Sequence, residues 1–272
     1  MDFVCFNDKI ITQQVLFTPQ NRGFRYGDGI FETIKIFQGK ILLADYHFDR
    51  LFSSLTLLKI KAPDYFNSDQ VKKNILELCR LNNCSDNARV RMAVYREENN
   101  AAGFVIEANR LDVKTNLLNE DGWRIDIYPH ARKSCDAFAN LKTANYLPYV
   151  LAGMHAAEIK LDECLVLNSN NKLCDASKAN LFLVFNNEVF TPALHQGCVN
   201  GVKRRFIIEE FKKAGITTRQ TMIDEAMLLN ADEVFLTNAI NDIRWVKGFR
   251  NRTYTNNFTV NFYRKTFSTI YQ

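Results

Sequence analysis

Strict alternation runs from Gly29 to Phe37, setting Ile30, Glu32, Ile34 and Ile36 against Phe31, Thr33, Lys35 and Phe37. A period of two is the signature of a strand, and Gln38-Gly39 turns it back into Lys40-Ile41-Leu42-Leu43 as a hairpin. The period then changes. Phe48, Leu51, Phe52, Leu55 and Leu58 recur at helical spacing, so Tyr46 to Ile60 reads as a helix with Arg50 beside its apolar stripe, near the start. A second helix is predicted over Ser68 to Leu81, capped by Ser68. Arg89 to Arg96 alternates Val90, Met92 and Val94 with Arg89, Arg91 and Tyr95, which makes a strand with one basic face. Gly103 to Ala108 would be its neighbour.

Asp112 to Asp121 is polar, with Asn116, Asn119 and Glu120, and reads as a linker. Beyond it Trp123 to Tyr128 reads as a strand. Pro148 to Leu161 reads as a helix, because proline is tolerated in a first turn. Two hairpins are signalled, Glu163 to Lys172 turning at Asn170-Asn171 and Leu181 to Phe190 turning at Asn186-Asn187. Val202 to Ala214 is a helix stopped by Gly215. Strands with segregated helices in both halves predict an α+β chain of two domains, 1–112 and 122–272, joined by 113–121.

Composition narrows the class. The 272 residues are 47% hydrophobic and 24% charged, ordinary for a globular protein with a substantial core. A net charge of +5 suits a small anionic substrate slightly better than a neutral one. No basic stripe with interleaved aromatics points to nucleic acid. The seven cysteines (Cys5, Cys79, Cys84, Cys135, Cys164, Cys174 and Cys198) form no C-x-x-C pair, so reduced thiols are expected. Four scattered histidines argue against a metal site. With no apolar signal region and no span, neither a membrane nor export is indicated, and a cytoplasmic location is expected.

The candidate chemistry begins at Lys142, in Leu141-Lys142-Thr143-Ala144-Asn145-Tyr146. Downstream come Asp175, before the apolar run Asn180 to Phe185, and a turn and helix start at Gly197-Cys198-Val199-Asn200-Gly201. A later strand, Glu233-Val234-Phe235-Leu236, ends in Thr237-Asn238-Ala239. An aldehyde cofactor with a ring nitrogen and a phosphate needs a lysine for the imine, a carboxylate for the nitrogen and a helix start for the phosphate. Lys203, Arg204 and Arg205 open the helix after Gly201. Cations there oppose the helix dipole, a cost that a bound anion would offset.

In order and spacing these motifs resemble the class IV aminotransferases, the pyridoxal-phosphate fold type IV group of branched-chain and D-amino acid aminotransferases and aminodeoxychorismate lyase. The resemblance extends to Arg22-Gly23-Phe24-Arg25-Tyr26-Gly27-Asp28-Gly29-Ile30-Phe31-Glu32-Thr33 and to His47-Phe48-Asp49-Arg50-Leu51. It implies the two-domain α+β fold of D-amino acid aminotransferases, pyridoxal 5'-phosphate as cofactor, and a homodimer. By the same resemblance Lys142 carries the cofactor and shuttles the proton, and Arg50 binds the phosphate. The amides of Val202 and Lys203 after Gly201 complete the phosphate cup, with Asn238 and Ala239 on its other side. Tyr146 is placed at the ring oxygen. Asp175 stands where the family usually has glutamate facing the ring nitrogen, one methylene shorter. Phe31 would line the substrate pocket. Arg96 matches an arginine that meets substrate carboxylates, although Glu97 replaces the glycine that follows it in relatives, and Arg91 shares the basic face.

Two reactions compete. A transaminase returns the proton to the cofactor and releases a keto acid, whereas aminodeoxychorismate lyase expels pyruvate and forms 4-aminobenzoate for folate synthesis. Phe31-Glu32-Thr33 and the Thr237-Asn238-Ala239 turn lean to the lyase. An amino acid aminotransferase of branched-chain or D-amino acid type is the alternative, and a catalytically degenerate cofactor-binding relative is the third reading.

Overall fold

The computed structural model of the protein describes residues 3–12, 16–267 and 270. The chain divides into two compact units, one of residues 1–114 and 141–145, the other of 115–140 and 146–272. The first contains β1 (Phe3–Phe6), β2 (Lys9–Thr12), α1 (Arg22–Tyr26), β3 (Gly29–Phe37), β4 (Lys40–Ile41), α2 (Ala44–Leu57), α3 (Ser68–Leu81), β5 (Asn87–Arg96) and β6 (Ala102–Arg110). Its strands form an antiparallel sheet in the order β2-β1-β6-β5-β3-β4. Ile30, Ile34, Ile36, Val90, Met92 and Val94 join one core with Phe48, Leu51 and Leu55 of α2 and Val71, Ile75 and Leu78 of α3.

The predicted turns here have a backbone reason. Gln38 and Gly39 both take positive φ, 47° and 70°, the handedness that matches strand twist in a two-residue hairpin. The helix boundaries shift. Leu43 is left-handed, so α2 starts at Ala44, ahead of the expected Tyr46, and Arg50 lies in its middle, buried. The cap of α3 is Asn67, whose side-chain oxygen accepts from the Gln70 amide at 3.0 Å; Ser68 is the first helical residue.

The segment 141–145 belongs to the first unit. Phe31 N–H donates to the Lys142 carbonyl at 2.9 Å, Ala144 N–H donates to the Gly29 carbonyl at 2.9 Å, and Thr143 bridges Ile30. It extends the edge of β3 as a short antiparallel strand.

The second unit contains β7 (Trp123–Lys133), α4 (Leu147–Glu158), β8 (Glu163–Asn168), β9 (Leu173–Ala176), β10 (Asn180–Phe185), β11 (Glu188–Pro192), α5 (Val202–Lys213), β12 (Thr218–Thr221), α6 (Glu225–Asn230), β13 (Glu233–Asn238), β14 (Asp242–Phe249), β15 (Arg252–Thr253) and α7 (Asn257–Phe267). The sheet order is β12-β11-β10-β13-β14-β7-β8-β9, with β15 on β14. Its middle strands are apolar on both faces, so they read as continuous hydrophobic runs. Leu181, Leu183, Val234 and Leu236 form one layer. Phe182, Val184 and Phe235 form the other, under Ile207 and Phe211 of α5 and Phe262 and Phe267 of α7. The Asn186-Asn187 turn takes φ of 48° and 65°, values asparagine tolerates. Strand β7 runs past the expected Tyr128, through a bulge between Ile127 and Arg132. Among the described residues no helix is long and apolar enough to cross a membrane. All seven cysteines are free thiols, six of them buried.

Candidate active site

In the first unit the pairing of 141–145 with β3 fixes the backbone of Lys142 beside Phe31. Its Nζ lies 4.4 Å from the Phe31 ring centroid, and the Arg91 guanidinium lies 4.8 Å from the same centroid. Arg91 is the cross-strand partner of Thr33. Alternation therefore puts Phe31, Thr33 and Arg91 on one face of the β3–β5 ladder, opposite the face that carries the core. Two cations drawn to one ring repel each other, and an anionic ligand between them would lower that cost.

The other face carries Glu32, fully enclosed between β3 and α2. Arg50 Nε donates to Oε1 at 2.8 Å and Nη2 donates to Oε2 at 2.6 Å, while His47 Nδ1 lies 2.7 Å from Oε2. Burial alone would raise the Glu32 pKa. The Arg50 and His47 partners outweigh it and hold the carboxyl at about 2. This fork fixes the plane of the Arg50 guanidinium. Arg96 is placed otherwise than the substrate role expects. It donates to Asp28 at 3.0 Å, to the carbonyls of Leu58 at 2.9 Å and Lys59 at 3.0 Å, and to Asn100. These bonds tie the end of β5 to the end of α2, and Glu97 turns away to Tyr95 and Asn7. The geometry gives Arg96 structural work.

In the second unit Asp175 is the centre of a buried polar knot. Oδ2 accepts from the Tyr149 hydroxyl at 2.6 Å and the Val199 amide at 2.9 Å, with Lys133 Nζ at 3.4 Å. Oδ1 accepts from Asn180 Nδ2 at 2.8 Å. Burial raises the Asp175 pKa; Lys133, Tyr149 and the Val199 amide act against that rise without cancelling it. Tyr149 is pushed well above its ordinary value, by burial first and by the neighbouring carboxylate second. Tyr146 stacks on Tyr149 with centroids 4.3 Å apart and points its hydroxyl at the Ser177 carbonyl.

The same asparagine links this knot to the helix start. Asn180 Nδ2 also donates to the Val199 carbonyl at 2.9 Å, and a Cβ built on Gly201 would run into Asn180 Oδ1. Only glycine fits there. Gly201 is the N-cap of α5 and offers no side chain to its first turn, whose amides lack helical acceptors. Asn238 closes the turn after β13 by accepting from the Ile240 and Asn241 amides, at 3.0 and 2.8 Å. Asp242, the register partner of Asn238, holds Lys203 Nζ at 2.5 Å, so the α5 start and the turn carrying Asn238 and Ala239 are adjacent. The cations of the first turn thus have partners in the protein, since Arg204 donates to the Pro192 carbonyl at 2.9 Å and to Gln220 at 2.8 Å. What remains for an anion is the uncapped set of backbone amides, and that donor set suits a phosphate.

Sequence reasoning missed Tyr149, Lys133, Asn180, Glu32 and His47 as members of these networks. Glu32 and His47 stood inside motifs already noted, and Asn180 follows Asp175 by five positions. Nothing in the local pattern marks Tyr149 or Lys133, which reach Asp175 from α4 and β7.

Comparisons with known proteins show the family and the fold. Residues 29–249 match the family described as amino-transferase class IV. The chain is 28% identical over 242 residues to the aminodeoxychorismate lyase of Bacillus subtilis (strain 168), covering 85% of this chain and 80% of that protein. It is 24% identical over 236 residues to the D-alanine aminotransferase of Listeria monocytogenes serotype 1/2a, covering 82% of this chain and 79% of that one. Among solved structures, the branched-chain amino acid aminotransferase of Escherichia coli shares the fold, superposing with a TM-score of 0.86 at 20% identity and covering 98% of this chain and 93% of that one.

Proposed function

We propose that this chain, which belongs to the class IV amino-transferase family, is a 4-amino-4-deoxychorismate lyase using pyridoxal 5'-phosphate. Membership makes it a transaminase or lyase that depends on this cofactor. The observation that carries the choice of lyase is the shared face of Phe31, Thr33, Arg91 and Lys142. It sets Thr33 and Arg91 on the face of β3–β5 whose Phe31 ring the lysine reaches, which suits a substrate with more than one carboxylate. The overall reaction is an elimination: the substrate divides into 4-aminobenzoate and pyruvate, with nothing added.

When bound, the cofactor supplies an electron sink for the bond-breaking carbon. The chain supplies the rest. Lys142 holds the cofactor through its Nζ and, once released, takes the proton from the amino-bearing carbon of the substrate. Asp175 would pair with the ring nitrogen. For the phosphate, Arg50 would supply a guanidinium from the first unit, and the amides of Val202 and Lys203 after Gly201, with the Asn238-Ala239 turn, would supply donors from the second. Tyr146 would pack at the ring, and Phe31 and Arg91 would orient the substrate. We assign no substrate contact to Arg96. We further propose a cytoplasmic homodimer, for which sedimentation at micromolar concentration is the direct check.

The test is a paired assay on cofactor-loaded protein, following 4-aminobenzoate and pyruvate from aminodeoxychorismate beside keto acid from a panel of L- and D-amino acids. Stoichiometric 4-aminobenzoate and pyruvate with little keto acid is the expected result. Keto acid without 4-aminobenzoate would make the protein an amino acid aminotransferase, and silence in both with cofactor bound would make it a degenerate relative. A Lys142→Ala protein that still gives a borohydride-stable adduct on another lysine would overturn the role of Lys142.

A further inference from the structure

The carboxylate of Asp175 is unequally used. Oδ2 has Tyr149, Val199 and Lys133 around it, at 2.6, 2.9 and 3.4 Å, whereas among the described residues Oδ1 has Asn180 alone at 2.8 Å. A carboxylate oxygen accepts about two strong hydrogen bonds, so Oδ2 is filled and Oδ1 keeps one lone pair. Tyr149 reaches in from the first turn of α4, where it is 5% exposed, and Lys133 from the end of β7. Lys133 Nζ also lies 5.3 Å from the Tyr149 ring centroid, so the two side chains brace each other.

We propose that Tyr149 and Lys133 are positioning residues that saturate Oδ2 of Asp175 and thereby present Oδ1, as an anion, to the ring nitrogen of the cofactor. The inference rests on the cofactor reading given above and deepens it. Aspartate in this place is one methylene shorter than glutamate, and its burial favours the neutral form. A neutral carboxyl could not keep a pyridine protonated. The hydroxyl and the ammonium both stabilise the ionised form, and because they gather on one oxygen they also fix which oxygen faces away. The titratable groups around the carboxylate are Lys133, Tyr149, Cys174, Cys198 and Arg204, from β7, α4, β9, the loop before α5, and α5. Both thiols are pushed up, Cys198 to about 12 and Cys174 well above its ordinary value, by burial first. They stay neutral and add no competing charge.

The experiment uses pyridoxal 5'-phosphate labelled with 15N in the ring and reads the nitrogen chemical shift of the bound cofactor against pH. It compares the unaltered protein with Tyr149→Phe, Lys133→Met and Asp175→Asn. Tyr149→Phe keeps the ring that stacks on Tyr146, and Lys133→Met keeps the length of the stem. The ring nitrogen should carry its proton throughout the working range in the unaltered protein and lose it in Asp175→Asn. Tyr149→Phe and Lys133→Met should each lower the pH at which the proton is lost by about one unit, since a hydrogen bond to a charged group is lost. A fall in kcat larger than the change in KM should accompany this. Unchanged 15N titrations in both variants, with protonated cofactor in the parent, would overturn the inference alone. A parent protein that takes up no labelled cofactor would instead remove the reading on which it rests. If Tyr149→Phe does not fold, Lys133→Met decides, because that side chain lies at the margin of the knot, 11% exposed.

Discussion

Arg50 and Glu32 meet as a buried fork, Nε on Oε1 at 2.8 Å and Nη2 on Oε2 at 2.6 Å. The carboxylate aligns the guanidinium, and His47 closes the other side. Glu32→Gln should therefore destabilise the protein by about 3 kcal/mol at neutral pH, measured by denaturant midpoint. The sign with pH follows from a folded pKa of about 2 against an ordinary 4.5. The folded value is depressed, so the stabilisation is fully present above 4.5 and is lost as pH falls toward 2. The gap between parent and variant should narrow across that window. A gap that stays constant down to the lower limit would show that the stabilisation does not depend on the charge of Glu32.

Gly201→Ala is predicted to damage the second unit at one point. The new methyl would collide with Asn180 Oδ1, and Asn180 can retreat only by releasing Asp175 Oδ1 or the Val199 carbonyl. A loss of about 1–3 kcal/mol is expected from overpacking. Cofactor affinity should fall as well, because the amides after Gly201 move. Parent-like melting together with parent-like affinity would mean that Asn180 yields freely.

These two sites mark the limit of what the sequence could tell. The fold elements were legible wherever the cause is local: the β3 alternation, the α3 stripe, and the Asn-rich turns whose φ is positive. Lys142, Asp175 and Gly201 stand out in the sequence as candidates, through motifs at set spacing. The attachment of 141–145 to β3 was not legible, because it depends on backbone bonds across more than a hundred residues. The convergence of Lys133, Tyr149 and Asp175 was hidden for the same reason, with three strand or helix ends meeting in space. The expectation for Arg96 rested on a different kind of signal. Its motif match described the strand position and said nothing of Asp28 or of the two carbonyls at the end of α2 that take up its guanidinium.

Arg91 and Arg96 should accordingly behave differently. Arg91→Ala removes a cation from the Phe31 ring on the face shared with Lys142. If it holds a substrate carboxylate, KM should rise about 10- to 100-fold with kcat changed much less. Arg96→Ala breaks an ion pair and two carbonyl bonds, so it should cost about 2 kcal/mol of stability and leave the KM of folded enzyme near the parent value. Steady-state kinetics on both, beside a melt of each, check the pair. The assignment fails if the two profiles are interchanged.

The Lys203–Asp242 pair offers the sharpest stability test in the second unit. Both side chains are nearly inaccessible, 2% and 0% exposed, and their atoms are 2.5 Å apart. Breaking such a pair from one side leaves a charge in low dielectric, which costs about 3–5 kcal/mol, whereas removing both charges costs far less. Asp242 also takes a φ of 54°, a conformation that asparagine tolerates and branched or bulky residues do not. Asp242→Asn is thus the clean single change, keeping the turn while stranding the lysine ammonium. The double change with Lys203→Met should recover most of the loss, since the methionine stem can occupy the place where the ammonium now lies 4.9 Å from the Phe267 ring centroid. Denaturant midpoints of the two singles and the double give the coupling directly. Additive losses in the double would mean that the charges act independently, and that the adjacency of the α5 start and the Asn238 turn rests on packing alone.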